Sequence, residues 1–139
     1  MKASEVRSGN LIKAYNKDKE IIQVVDFSII TILEGIVDNK GIMFKPIHID
    51  EDILNSCGFI SNGGNSQELS YEVYKSIIIE KKHDHYNATL IQKTDKNCEC
   101  DWAFVSLPEI KSVHELQNVY YFLFGKELNV SALLQLLLK

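Results

Sequence analysis

The stretch WAFVSLPEIKSVHELQNVYYFLFG, residues 102–125, contains a change of periodicity. Residues 102–107 read as a strand. Pro108 has no N–H for a further ladder bond, so the strand is expected to end there. Ser112 followed three residues later by Glu115 forms a capping box, in which each side chain serves a backbone N–H of a first helical turn. Val113, Leu116, Tyr120, Leu123 and Phe124 then recur at helical spacing, and Gly125 is placed to close the helix. Strands that give way to a helix in this manner predict an α+β fold.

Upstream, residues 86–92 and 102–107 read as strands of a β-meander, preceded by a third strand in the region of residues 67–80. There Tyr71, Val73, Ile77 and Ile79 are expected on one face and Glu72, Ser76 and Glu80 on the other. The segment SNGGNSQE, residues 61–68, has the composition of a loop separating two differently patterned halves. In the first half, residues 11–15 lead through Asn16-Lys17-Asp18-Lys19 into residues 20–33, rich in Ile, Val and Phe, which read as strand. Turn chemistry at Asp38-Asn39-Lys40-Gly41 precedes another strand at 42–45. These lengths predict a small curled antiparallel sheet or partial barrel. Asp50 or Asp52 is expected to cap a short helix through Ile53, Leu54 and Cys57, ended by Gly58. The expected organisation is one domain over residues 1–139, strand-rich to residue 60, a meander at 67–108 and a helical part at 112–139.

The formal net charge is −4, which argues against a dedicated binder of nucleic-acid backbone, whose electrostatics need a basic excess. No apolar run is long enough to span a bilayer, and the start MKASEVRSGN lacks the apolar stretch of a signal peptide, so a cytoplasmic protein without a membrane role is expected. Cys57, Cys98 and Cys100 are then expected as free thiols.

Three stretches, taken together, resemble one protein group. Arg7-Ser8-Gly9-Asn10-Leu11 matches an "R-x-G-N-hydrophobic" start. Pro46-Ile47-His48-Ile49-Asp50-Glu51 with Cys57-Gly58-Phe59 matches a "P-I-x-L-T-E … F-G-F" segment. Residues 110–121 with Gly125-Lys126-Glu127-Leu128 match an "I-K-x-V-H-x-L-Q-N-L-Y … T-G-E-E-L" ending. The chain thus resembles small proteins encoded by phages, prophages and mobile elements of Bacteroidetes-type bacteria. It departs from their pattern at Phe124, where Thr is more usual, and in its leucine-rich extension past Leu128. The resemblance implies a setting, an accessory protein in the cytoplasm of a bacterial host, and it carries over no catalytic residue and no cofactor.

Candidate chemistry is sparse. Cys98-x-Cys100 and His83-x-His85 have metal-ligating side chains, but one residue between the cysteines is short of the two to four usual in zinc sites, so no metal is expected. His114 lacks an identifiable nucleophile and orienting acid, which makes an enzyme acting through it the least supported reading. Gly63-Gly64 has neither dinucleotide nor P-loop spacing. The expected activity is non-enzymatic binding of a nucleotide signal or a host protein, with the ligand held by Tyr71, Tyr74, Lys75, Trp102, Lys111 and His114 through stacking and charge. A nucleic-acid-associated module of phage replication is the alternative. Phe122 lies nearly opposite the core stripe of its helix, and the tail helix over 131–139 is apolar nearly all round. Both point to a homo-oligomer joined through Phe122, Leu133, Leu134, Leu136, Leu137 and Leu138.

Overall fold

The computed structural model describes residues 1–72, 74–93 and 102–139. Cys98 and Cys100 lie outside the described residues, as does Val73. The described chain divides into two compact units, each assembled from separate stretches. It contains both helices and antiparallel sheets, the α+β class expected from the sequence.

The first unit comprises Met1–Ile49, Ser112–Leu128 and Leu137–Lys139. Its sheet has three antiparallel strands in the order β2-β1-β3: β1 (Leu11–Asn16), β2 (Lys19–Val24) and β3 (Ile42–Lys45). The sheet does not close into a barrel. The strand expected through residue 33 stops at Val24, and Phe27–Leu33 forms helix α1. The cause is Asp26, whose carboxylate accepts from the Ile29 N–H at 3.0 Å and caps the helix. Ile29, Ile30 and Leu33 then share a face at helical spacing, where they join a cluster with Ile12, Val25 and Phe44. The apolar run was thus a helix face, its period hidden by β-branched residues that also suit strands.

Helix α3 (Val113–Phe124) completes this unit. Its capping box is present, with Glu115 Oε2 accepting from the Ser112 N–H at 3.1 Å, and Gly125 takes the left-handed conformation at φ +66° that closes it. Val113, His114, Leu116 and Gln117 are its buried residues, and the Val113 N–H donates to the Ile47 carbonyl at 2.9 Å.

The second unit comprises Asp50–Lys111 and Asn129–Leu136. Helix α2 (Glu51–Ser56) is capped by Asp50, which accepts from the Ile53 N–H at 2.8 Å. A five-stranded antiparallel meander follows in the order β4-β5-β6-β7-β8: β4 (Ile60–Ser61), β5 (Ser66–Glu72), β6 (Lys75–Lys81), β7 (Tyr86–Lys93) and β8 (Trp102–Ser106). The loop at 62–65 joins two paired strands inside this unit instead of separating two halves. Residues 71–80 belong to two strands, because the chain reverses between Glu72 and Lys75 beside a bulge at Ser70/Glu72. Tyr71 therefore lies on a different strand from Ile77 and Ile79. Lys75, polar where the alternation called for an apolar residue, marks the break in the sequence. Helix α4 (Ser131–Leu137) lies at the end of the chain.

Candidate ligand-binding site

The pleat of the meander sorts its side chains onto two faces. Ile77, Ile79, Ala88 and Leu90 are buried together on one of them. The opposite face follows from the register: Ser70 pairs with Ser76, Ser76 with Ile91, and Ile91 with Phe104, while Glu68 pairs with Ile78. Residues in register on adjacent strands share a face, so these side chains form one open surface, and Trp102 joins them two residues from Phe104.

That surface holds a hollow of about 310 Å³, within the usual range of small-molecule pockets. Ile78 and Ile91 are half-buried in its lining, and Glu68, Ser70, Ser76 and Lys75 add polar groups. Trp102 and Phe104 complete it and remain 41% and 68% exposed. Two aromatic rings left this open on one strand face are uncommon in a side chain chosen for core packing, and they offer π-surfaces to a planar ligand. The Lys93 ammonium lies 5.4 Å from the Tyr74 ring centroid and 6.0 Å from that of Trp102. Among the described residues, Lys75 and Lys93 stand here against Glu68 in a chain of net charge −4. The arrangement suits a flat ring that carries an anionic group.

Of the residues expected at a ligand site, Lys75 and Trp102 line this hollow, and Tyr74 adjoins it through Lys93. Tyr71 and Lys111 do not line it. Lys111 is exposed, and its charge helps hold the Asp84 carboxyl below its ordinary range, behind the larger effect of the hydrogen bond from His85. His114 belongs to the first unit and is only 4% exposed, with Nδ1 3.1 Å from the Ser112 hydroxyl. Burial holds its pKa below the ordinary value, so the imidazole is neutral at neutral pH. An imidazole enclosed in this way is a packing element of α3 and is withdrawn from the proposed ligand contacts. Phe104, Ile91 and Glu68 were missed. The signal for Phe104 was present, since the Trp102-x-Phe104 spacing puts two aromatics on one strand face.

The remaining sequence candidates separate clearly. His85 Nδ1 is 2.7 Å from Asp84 Oδ1 and its Nε2 is 3.6 Å from Glu109. Among the described residues there is no group of three or more His, Cys, Asp or Glu side chains able to hold a metal. The Cys57 thiol is buried, which pushes its pKa up to about 11 and leaves it unreactive. Of the residues assigned to an oligomer seam, Leu133 is fully buried in the second unit and serves its core, which corrects that assignment. Leu134 and Leu137 are half-buried, Leu136 is partly exposed, and Phe122 and Leu138 stand 87% and 71% exposed. No helix among the described residues is long and apolar enough to cross a membrane.

Comparison with protein-family models, with curated proteins and with solved structures finds no match.

Proposed function

We propose that this chain is a non-enzymatic binding protein that holds a nucleotide on the open face of its five-stranded sheet. The observation that carries this reading is the pair Trp102 and Phe104, exposed side by side over a hollow whose rim carries Lys75. A base stacks on the aromatic pair, and its phosphate is drawn to Lys75 and Lys93. Glu68 accepts from an exocyclic amino group or a ribose hydroxyl. A single nucleotide suits the size of the hollow, whereas an extended phosphate backbone would meet a protein of net charge −4. The resemblance to phage and mobile-element proteins supplies a setting, in which an accessory protein counters host defence by sequestering a nucleotide signal. Self-association through the exposed Phe122 and Leu138 is part of the same reading.

Calorimetric titration of the purified chain with a panel of nucleoside mono- and diphosphates tests it. Saturable binding that disappears in Phe104→Ala supports the reading. Heats no larger than those of ribose 5-phosphate would contradict it, because the base would then contribute nothing.

A further inference from the structure

A second cavity, of about 110 Å³, lies in the second unit among helix α2, the 62–65 loop and one end of the five-stranded sheet. Its volume corresponds to about four water molecules' share of liquid. Glu51 and Asn55, four residues apart and therefore on one side of α2, line it from the helix. Gln67, Lys81 and Tyr86 line it from the strands, and Asn65 from the loop. The loop turns through Gly63 and Gly64, at φ of +91° and +59°, and the Asn65 carbonyl accepts from the Lys81 N–H at 2.9 Å.

Gln67 is the residue that packing does not explain. It sits in register with Ile79, which pairs in turn with Ala88, so it occupies an apolar row of the core-facing side. Only 8% of it is exposed, and its carboxamide oxygen has no hydrogen-bond partner among the described residues. A buried amide oxygen left this way is destabilising, whereas a ligand that brings an N–H donor satisfies it. A half-turn of the last side-chain torsion exchanges the amide oxygen and nitrogen, so either can be turned toward a bound molecule.

The charges of the lining are ordered as well. Lys81 is the cross-strand partner of Tyr86, and both residues line the cavity. Burial, and then the carboxylates of Glu51 and Asp50, hold the Tyr86 hydroxyl above its usual pKa, and Glu51 is the carboxylate that lines the cavity. The lining thus carries one ammonium, one carboxylate and one unpartnered buried carboxamide, groups complementary to a molecule that bears both charges.

We propose that this cavity binds a small α-amino acid as its zwitterion. The ligand's ammonium donates to Glu51 and Gln67, and its carboxylate accepts from Lys81 and the Asn65 amide. A volume of about 110 Å³ suits an amino acid with a small side chain, such as alanine or serine.

The test titrates the full chain with glycine, L-alanine and L-serine, with acetate and methylammonium as probes of one charge each. Saturable binding of the amino acids is expected, with Glu51→Gln and Lys81→Met each weakening it by about tenfold or more, the loss expected for one charge-assisted hydrogen bond. Both substituted residues are exposed, so both variants should fold, with Glu51→Gln at most slightly less stable through loss of a charge in the first turn of α2. Trp102→Ala should leave amino-acid binding intact, which separates this site from the open sheet face. No binding of the three amino acids at millimolar concentration would overturn the proposal. Unweakened binding in both variants, or equally tight binding of acetate or methylammonium, would overturn it too.

Discussion

Gln117 Oε1 accepts from the Leu11 N–H at 2.8 Å, joining residues 106 positions apart in the chain. The same carboxamide donates through Nε2 to the Gly9 carbonyl at 3.2 Å, so one buried side chain satisfies two backbone groups of the loop that enters β1. Around it, Arg7 forms a two-pronged ion pair with Glu127 at 2.7 and 2.8 Å and lies over the Tyr121 ring at 4.2 Å. Asn118 Nδ2 donates to the Glu5 carbonyl, and the Arg7 N–H donates to Asn10 Oδ1. The R-x-G-N start and the Q-N-x-x-Y…E ending of the sequence are therefore two halves of one latch in the first unit.

Replacing Gln117 by Leu keeps the volume and removes both bonds, stranding the Leu11 N–H and the Gly9 carbonyl. The expected loss of stability is on the order of 2–3 kcal/mol, the cost of leaving one buried and one part-buried backbone group unpaired. Arg7→Ala, at a partly exposed pair, should cost on the order of 1 kcal/mol. Urea midpoints measure both. A Gln117→Leu midpoint equal to the parent's would show that the latch does not hold the fold.

Acid should weaken the first unit in a defined window. Burial lowers the pKa of His114 in the folded state below 6.5, so the unfolded chain takes up this proton first as pH falls. The stability contributed by the neutral imidazole is complete above 6.5, and it is lost as pH falls from there toward the folded-state value. His114→Gln should flatten this part of the stability profile. Glu127, held below its usual range by the hydrogen bond from Arg7, contributes in a separate, more acidic window, where stability falls as that carboxylate is protonated. Denaturant midpoints across pH for parent and variant decide the matter; a slope that persists in His114→Gln would assign it elsewhere.

Self-association, if it runs through the exposed residues, should respond to charge placed there. Truncation of the tail is a poor probe, because it removes Leu133 from the core. Phe122→Asp and Leu138→Asp change only exposed positions and should shift the sedimenting species to monomer without altering the melting temperature. A parent chain that sediments as a monomer at high micromolar concentration would contradict the oligomer.

Elements with several agreeing signals were legible in the sequence. Helix α3 had its capping box, its stripe and Gly125, and the structure has all three. Helix α2 had Asp50 and Gly58. Helix α1 was not legible, because Ile29, Ile30, Ile32 and Leu33 suit a strand by propensity and only the Asp26 cap speaks for a helix. At the candidate site, Trp102 and Lys75 could be named from residue type alone. Glu68, Ile91 and Phe104 gather with them only through the register of four strands, which no local pattern specifies. The burial of His114 was not legible for the related reason that it depends on contacts made by the whole of α3.

Trp102 is the only tryptophan in the chain, so its fluorescence reports on the proposed site without interference from another indole. Titrating the purified protein with a purine nucleotide should quench that emission saturably, and ribose 5-phosphate should not reproduce the effect. Base stacking on an aromatic side chain contributes about 1–3 kcal/mol, so Phe104→Ala should weaken the apparent affinity by about tenfold or more. Emission that stays unchanged across millimolar purine and pyrimidine nucleotides, in a protein whose circular dichroism is that of a folded chain, would contradict nucleotide binding on this face.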